Sequence, residues 1–170
     1  CVSQSHAVRV TQILNVLADS IFPSQYNSDF AVQVTSNIEL ARTFSQNFAN
    51  NNLNGFSNFM QNYKTSKTRV CVTVSMMTTG YDCKDLLNIC LFRPVFSPTE
   101  FIQMKGRGTR LFDFKDCWKD KSQIPQSVNS KKTTFLLFDY FKNYKYFEEE
   151  FNYDKVIKLP REFGKGTDGP

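Results

Sequence analysis

In QMKGRGTR, residues 103 to 110, two arginines stand three apart among two glycines and a threonine. Arginine suits phosphate chemistry because its planar fork stays charged and donates bidentately to phosphate oxygens. On a helix, Gln103, Arg107 and Arg110 fall at i, i+4 and i+7, within roughly 60° of one another at about 100° per residue. They form one polar stripe. Phe101, Met104, Gly108 and Leu111 cluster about 120° away by the same geometry and form the packing face. Gly106 and Gly108 each cost a helix about 1 kcal/mol relative to alanine, which points to a close approach there by a backbone or a ligand. The spacing by itself fits a solvated basic face equally well.

A second candidate stretch is TTGYD, residues 78 to 82, directly after an apolar run. The carboxyl ends of strands are where open α/β sheets bind ligands. Thr78 and Thr79 offer hydroxyl and backbone donors, Gly80 permits close approach, and Asp82 supplies an acceptor suited to sugar hydroxyls. An ordinary strand-to-loop turn is the plainer alternative. His6 has no acidic or cysteine neighbour in sequence and reads as a packed or cap-region residue. GKGT, residues 164 to 167, lacks both the earlier glycine of a phosphate loop and a preceding strand, so it is set aside.

The elements that must position these residues follow from the apolar periodicity. Val10, Ile13, Leu14 and Leu17 repeat at helical spacing behind a polar SQS stretch that supplies an N-cap, predicting a helix to Ser20 after a cut strand and a turn at the chain start. DFAVQVTSN (29–37) reads as a short buried strand. Asn37 is placed to cap a second helix carrying Leu40, Ala41, Phe44 and Phe48 inward, and Phe56, Phe59, Met60 and Tyr63 repeat the pattern for a third. RVCVTVSMM (69–77) and LLNICLFRPV (86–95) are continuous apolar runs of the kind buried on both faces of a parallel sheet. SPTE (97–100) is a capping box with proline at the first helical position. Residues 113–132 read as an exposed polar loop, KTTFLLFDYF (132–141) as a last strand, and the glycine-rich end as a linker. Strands and helices alternating in this way imply βαβ units and a mostly parallel sheet.

At 170 residues, with 41% apolar residues and 17 phenylalanines, the chain fits one densely packed domain and not a disordered one. It has no run of the length needed to span a bilayer and no signal-peptide pattern, which points to a soluble, cytoplasmic protein. The net charge of +5 favours approach to a polyanion without demanding one. Five cysteines without C-x-x-C spacing indicate buried free thiols, not a disulfide framework or a zinc site. The opening CVSQSHAVRV, with no initiator methionine, reads as the start of an excised piece of a larger protein.

VTVSMMTTGYD, RPVFSPTEF and QMKGRGTR, in that order and spacing, resemble motifs V and VI of superfamily 2 helicases and translocases. CVSQSHA resembles motif IV. Within the superfamily the TTGYD and GRGTR wording is similar to the motor of the restriction subunit (R subunit) of type I restriction enzymes, and differs from the motifs of DEAD-box RNA helicases. The resemblance implies an α/β fold: a RecA-like three-layer αβα sandwich, the helicase C-terminal motor domain. That second RecA-like domain would occupy residues 1–150, with its first strand truncated, and residues 151–170 would be a linker.

By the same resemblance, ATP sits between two RecA-like domains, and the first, missing here, carries the phosphate loop and most of the hold on Mg²⁺. Arg107 and Arg110 would contact the γ-phosphate as arginine fingers, Gln103 would help position it, and Gly80 and Asp82 would approach the nucleotide, Asp82 at the ribose. Thr78, Thr79, Ser3 and Gln4 would touch phosphates of double-stranded DNA. Methylase and specificity subunits would be partners of such a protein. Alternatives are another superfamily 2 DNA helicase, or a non-catalytic RecA-like scaffold that binds nucleic acid or protein.

Overall fold

The computed structural model describes residues 1–36, 38–57, 62–74, 82–125 and 130–152. Ser3 starts the first helix, α1 (Gln4–Ile21), by accepting a hydrogen bond from the His6 backbone N–H at 3.2 Å. The residues before it, Cys1 and Val2, form no strand. Strands β1 (Ala31–Val34) and β2 (Val70–Thr73) pair in parallel, with Ala31 opposite Val70. The chain between them carries α2 (Ala41–Ala49), as a parallel crossover requires. α1 lies on this pair, where Ala7, Ala31 and Val72 are buried with Val10, Leu14 and Phe30 against them. Asn15 fastens the helix to the sheet: its amide nitrogen donates to the Ala31 carbonyl at 3.0 Å and its oxygen accepts from the Ala31 N–H at 2.8 Å.

A second parallel pair joins β3 (Asn88–Leu91) to β6 (Leu136–Asp139), Asn88 opposite Leu136. The crossover contains α3 (Pro98–Gly108), capped by Ser97, whose hydroxyl accepts from the Glu100 N–H, with Pro98 in the first turn. α3 packs through Phe101, fully buried and stacked on Phe147 at 5.0 Å between ring centroids, within a cluster that includes Leu91 and Val95. The short strands β4 (Phe112–Asp113) and β5 (Lys131–Lys132) pair antiparallel. After β6, Asn143 begins a short helix, α4 (Asn143–Lys145), which continues as a π-helical turn over Tyr146–Glu150 that carries Phe147 into the core. The buried side chain of Asn143 accepts from the Val95 N–H at 2.7 Å and donates to the Arg93 carbonyl at 3.1 Å, fixing the approach to α3.

Four of the five strands expected from sequence are present, all but the cut strand at the chain start, in parallel pairs consistent with an α/β chain, although among the described residues no ladder joins one pair to the other. Several expectations need correction. On α1 the inward residues are Ala7, Val10, Leu14 and Ala18, whereas Ile13 and Leu17 are about half exposed, because the small alanines let the helix approach β1 along a neighbouring stripe. α2 is preceded by Leu40, which is exposed and provides no side-chain cap; Asn37 lies outside the described residues. The expected third helix fails at both ends. Phe56 bridges Ser66 and Tyr63 bridges Trp118, both antiparallel, and a left-handed Asn62 (φ 67°) precedes Tyr63; residues 58–61 lie outside the described residues. Residues 113–132 are not simply an exposed loop, since Cys117, Ser130 and Lys132 are buried and Trp118 packs edge-on against Tyr63.

Candidate functional site

The polar stripe of α3 divides where the helix stops. Thr109, whose hydroxyl donates to the Gly106 carbonyl at 3.0 Å, is the C-cap, so Gln103 and Arg107 project from the helix while Arg110 stands just past its end. Gln103 is exposed, Arg107 is half-buried with its Nε atom inside, and Arg110 is about one-third exposed. The packing face is shorter than expected. Phe101, Met104 and Gly108 turn inward, but Leu111, beyond the helix end, is 79% exposed.

The two glycines have different causes. A Cβ on Gly108 would collide with the ring of the part-buried Phe135, so this glycine lets an aromatic ring reach the helix backbone. Nothing lies within 4 Å of the corresponding position on Gly106, which leaves open space on the side of the helix that carries the site.

Arg110 forms an ion pair with Asp82, bringing together the two charged residues that the sequence placed in separate motifs. Asp82 is presented by an anchored turn. Next to it Cys83 is buried and its thiol donates to an Asp85 carboxylate oxygen at 3.0 Å; the other oxygen accepts from the Asn51 amide at 2.5 Å. The Lys132 ammonium donates to the Lys84 carbonyl at 3.1 Å, and burial pushes its pKa down. Asp82 therefore stands on a turn pinned from two directions while remaining 54% exposed itself.

Beside the pair lies a hollow of about 320 Å³ lined by Thr109, Arg110, Lys132, Thr133 and Thr134, among others. Gly108, Leu111 and Phe135 make the rest of the wall apolar, so the hollow sets the Arg110 guanidinium and three threonine hydroxyls, groups able to donate to phosphoryl oxygens, against a nonpolar side. The contribution of residues 132–134 escapes a reading of the sequence, where KTTFLLFDYF signals only a strand; the two consecutive threonines ahead of the apolar run were the available sign. Among the described residues no group of three or more His, Cys, Asp or Glu could hold a metal ion.

At the opposite end of the chain, Ser3 is the α1 cap and Gln4 donates to the Ser36 hydroxyl at 3.4 Å, so both lie beside the carboxyl end of β1. His6 accepts from the Val2 N–H and sits edge-on to Phe92 at 6.4 Å, a packed, cap-region histidine. Thr78, Thr79 and Gly80 lie outside the described residues, as does the GKGT stretch. The cysteines are free thiols as expected, but only Cys83 and Cys117 are buried and Cys90 is exposed; loss of solvent around the sulfur still pushes Cys71, Cys90 and Cys117 above the ordinary thiol range. Among the described residues no helix is long and apolar enough to cross a membrane.

No family model matches the chain. It is 28% identical over 161 residues to the type I restriction enzyme EcoKI endonuclease subunit of Escherichia coli K12, a match covering 95% of this chain and 12% of that protein. Among solved structures it is similar to a fragment described as an HsdR subunit of a type I restriction enzyme from Vibrio vulnificus YJ016. There the TM-score is 0.54 at 27% identity, over 82% of this chain and 22% of that one. The chain is thus homologous to type I restriction enzyme R subunits, and spans a small part of each relative's length.

Proposed function

We propose that this chain is the second RecA-like motor domain of an ATP-dependent DNA translocase, of the kind carried by type I restriction R subunits. The observation that carries the reading is the meeting of Asp82 and Arg110 beside a hollow that Arg110 itself lines, in a chain homologous to those subunits. In this reading ATP and its Mg²⁺ are held mainly by a first RecA-like domain elsewhere in the parent protein, and bound ATP supplies the phosphoryl group to be transferred to water. This chain supplies positive charge.

Arg107 and Arg110 project across the cleft toward the γ-phosphate. Their guanidinium groups stabilise charge that develops on the phosphoryl oxygens, with no proton transfer asked of them. Gln103, one turn before Arg107, orients the phosphate end of the site. Gly80 and Asp82 approach the nucleoside. On the DNA side Ser3, Gln4, Thr78 and Thr79 hold backbone phosphates, contacts that position the duplex without reading its sequence. Closure of the two domains on ATP and their opening after hydrolysis then move these contacts along DNA. Methylase and specificity subunits are the expected partners of the parent protein.

The test is DNA-stimulated ATP turnover by the full-length protein and by the present chain alone. The reading expects turnover in the first and none in the second. Robust turnover by the 170-residue chain alone would overturn it.

A further inference from the structure

Asp82 and Arg110 are each other's partners, yet in the reading above both are assigned to nucleotide, one at the ribose and one at the γ-phosphate. We infer that the pair is an exchangeable latch, in which each residue occupies the other's nucleotide-binding position until ATP arrives and both change partners together. The inference rests on the motor-domain reading and concerns how its site is regulated.

Three features fit exchange better than a permanent structural pair. First, both side chains are substantially exposed, 36% for Arg110 and 54% for Asp82, and exposed ion pairs are weak and readily replaced. A polyphosphate carries several negative charges where Asp82 carries one, so it competes well for a single guanidinium. Second, the backbone on each side is held independently of the pair. The Asp82 turn is pinned by Asn51 and Lys132, and the Arg110 segment follows a helix anchored by Phe101 and Gly108, so breaking the contact unfolds nothing. Third, Arg110 also lines the hollow formed with Thr109, Lys132, Thr133 and Thr134, which gives an anion a place to meet it.

The consequence is a threshold. While latched, each residue must be pulled from the other before it can bind, so a ligand offering only phosphates or only a sugar binds more weakly, by up to about fivefold, than it would to the free side chain. A ligand offering both phosphates and ribose satisfies both residues at once.

Tripolyphosphate, which has phosphates and no ribose, isolates the Arg110 half. Its affinity for the full-length protein is measured by calorimetry at low salt for the wild type, D82N, R110A and the double variant, with thermal unfolding recorded on each. The latch predicts that D82N tightens tripolyphosphate by up to about fivefold, the strength of an exposed ion pair, and that the gain disappears in the R110A background. If D82N leaves the affinity unchanged, or if the gain persists without Arg110, the latch is wrong. The motor-domain reading survives that result provided R110A alone weakens binding or turnover. If R110A alters neither tripolyphosphate binding nor ATP hydrolysis, the reading and the latch fail together.

Discussion

The start of α1 and the end of α3 look alike in sequence, each a short polar stretch at a helix terminus, and the fold uses them differently. At α1 the polar atoms are consumed by structure: Ser3 caps the helix, Gln4 reaches Ser36, and Asn15 clamps both backbone groups of Ala31. At the end of α3 the charged groups contribute little to the fold. The helix is held by Phe101 and by the contact of Gly108 with Phe135, while Gln103 and Arg110 face outward and Arg110 pairs with another exposed charge. Polar residues that a fold does not need, held on an element it anchors firmly, are where function is most economically placed.

The most severe test of that contrast is removal of the arginines. In the full-length protein, replacing Arg107 or Arg110 by alanine is expected to lower DNA-stimulated ATP hydrolysis on the order of 10³-fold, with unfolding temperature nearly unchanged for Arg110→Ala and modestly lowered for Arg107→Ala, whose Nε is buried. Arg→Lys should rescue poorly, because an ammonium keeps the charge but loses the planar fork. ATP affinity should fall less than turnover, since a finger acts chiefly on charge that develops in the transition state. Near wild-type rates in both folded alanine variants would reduce the stripe to a solvated basic face.

The packing side of the same helix predicts the reverse pattern. Gly108→Ala places a methyl group into the Phe135 ring and should destabilise the protein by about 1–3 kcal/mol, as overpacking does, despite alanine's better helix propensity. Gly106→Ala meets open space and should be neutral or slightly stabilising, so the two glycines separate in a single denaturation experiment. Equal effects would show that the helix does not sit against Phe135 as described.

Much of this was legible in the sequence because it was local. The Ser97 cap, the proline in the first turn and the four apolar strands follow from residue types at fixed short spacing. What was not legible depended on partners distant in the chain. Helical spacing puts Leu111 on the packing face only if the helix runs three residues past its true end, and it favours Ile13 and Leu17 because larger apolar residues outrank alanine in a periodicity argument. Tyr63 leaves the helical pattern for a bridge to Trp118, and Asp82 finds Arg110 across the intervening β3 and α3. No spacing rule records such pairings; only the tertiary arrangement brings them together.

A smaller effect is expected at the clamp between α1 and β1. Asn15→Ala leaves the N–H and carbonyl of Ala31 without their side-chain partners, and a loss of roughly 1–2 kcal/mol is expected from two hydrogen bonds at a part-buried site. ATP turnover per folded molecule should not change, because neither Asn15 nor Ala31 lines the hollow beside Arg110. Loss of turnover at intact stability would mean that α1 takes part in the chemistry rather than in the support of the sheet.

The smallest expected effect discriminates most finely, because it separates two roles of one hydroxyl. Ser3 is the α1 cap, accepting from the His6 N–H, and in the proposed function it also faces a DNA phosphate. Ser3→Ala removes both roles: stability should fall by about 1 kcal/mol, and DNA binding by whatever one phosphate contact is worth. Ser3→Asp separates them. Aspartate caps a helix as well as serine does and its charge suits the positive end of the helix dipole, so stability should stay within about 0.5 kcal/mol of wild type. A carboxylate opposite a phosphate is repulsive, however, and should weaken DNA binding more than alanine does, most strongly at low salt and less as salt screens the two charges. Unfolding curves and DNA titrations at two salt concentrations on the three proteins decide the matter. If S3D keeps both stability and DNA affinity, Ser3 is a cap and nothing more, and the start of α1 belongs wholly to the fold.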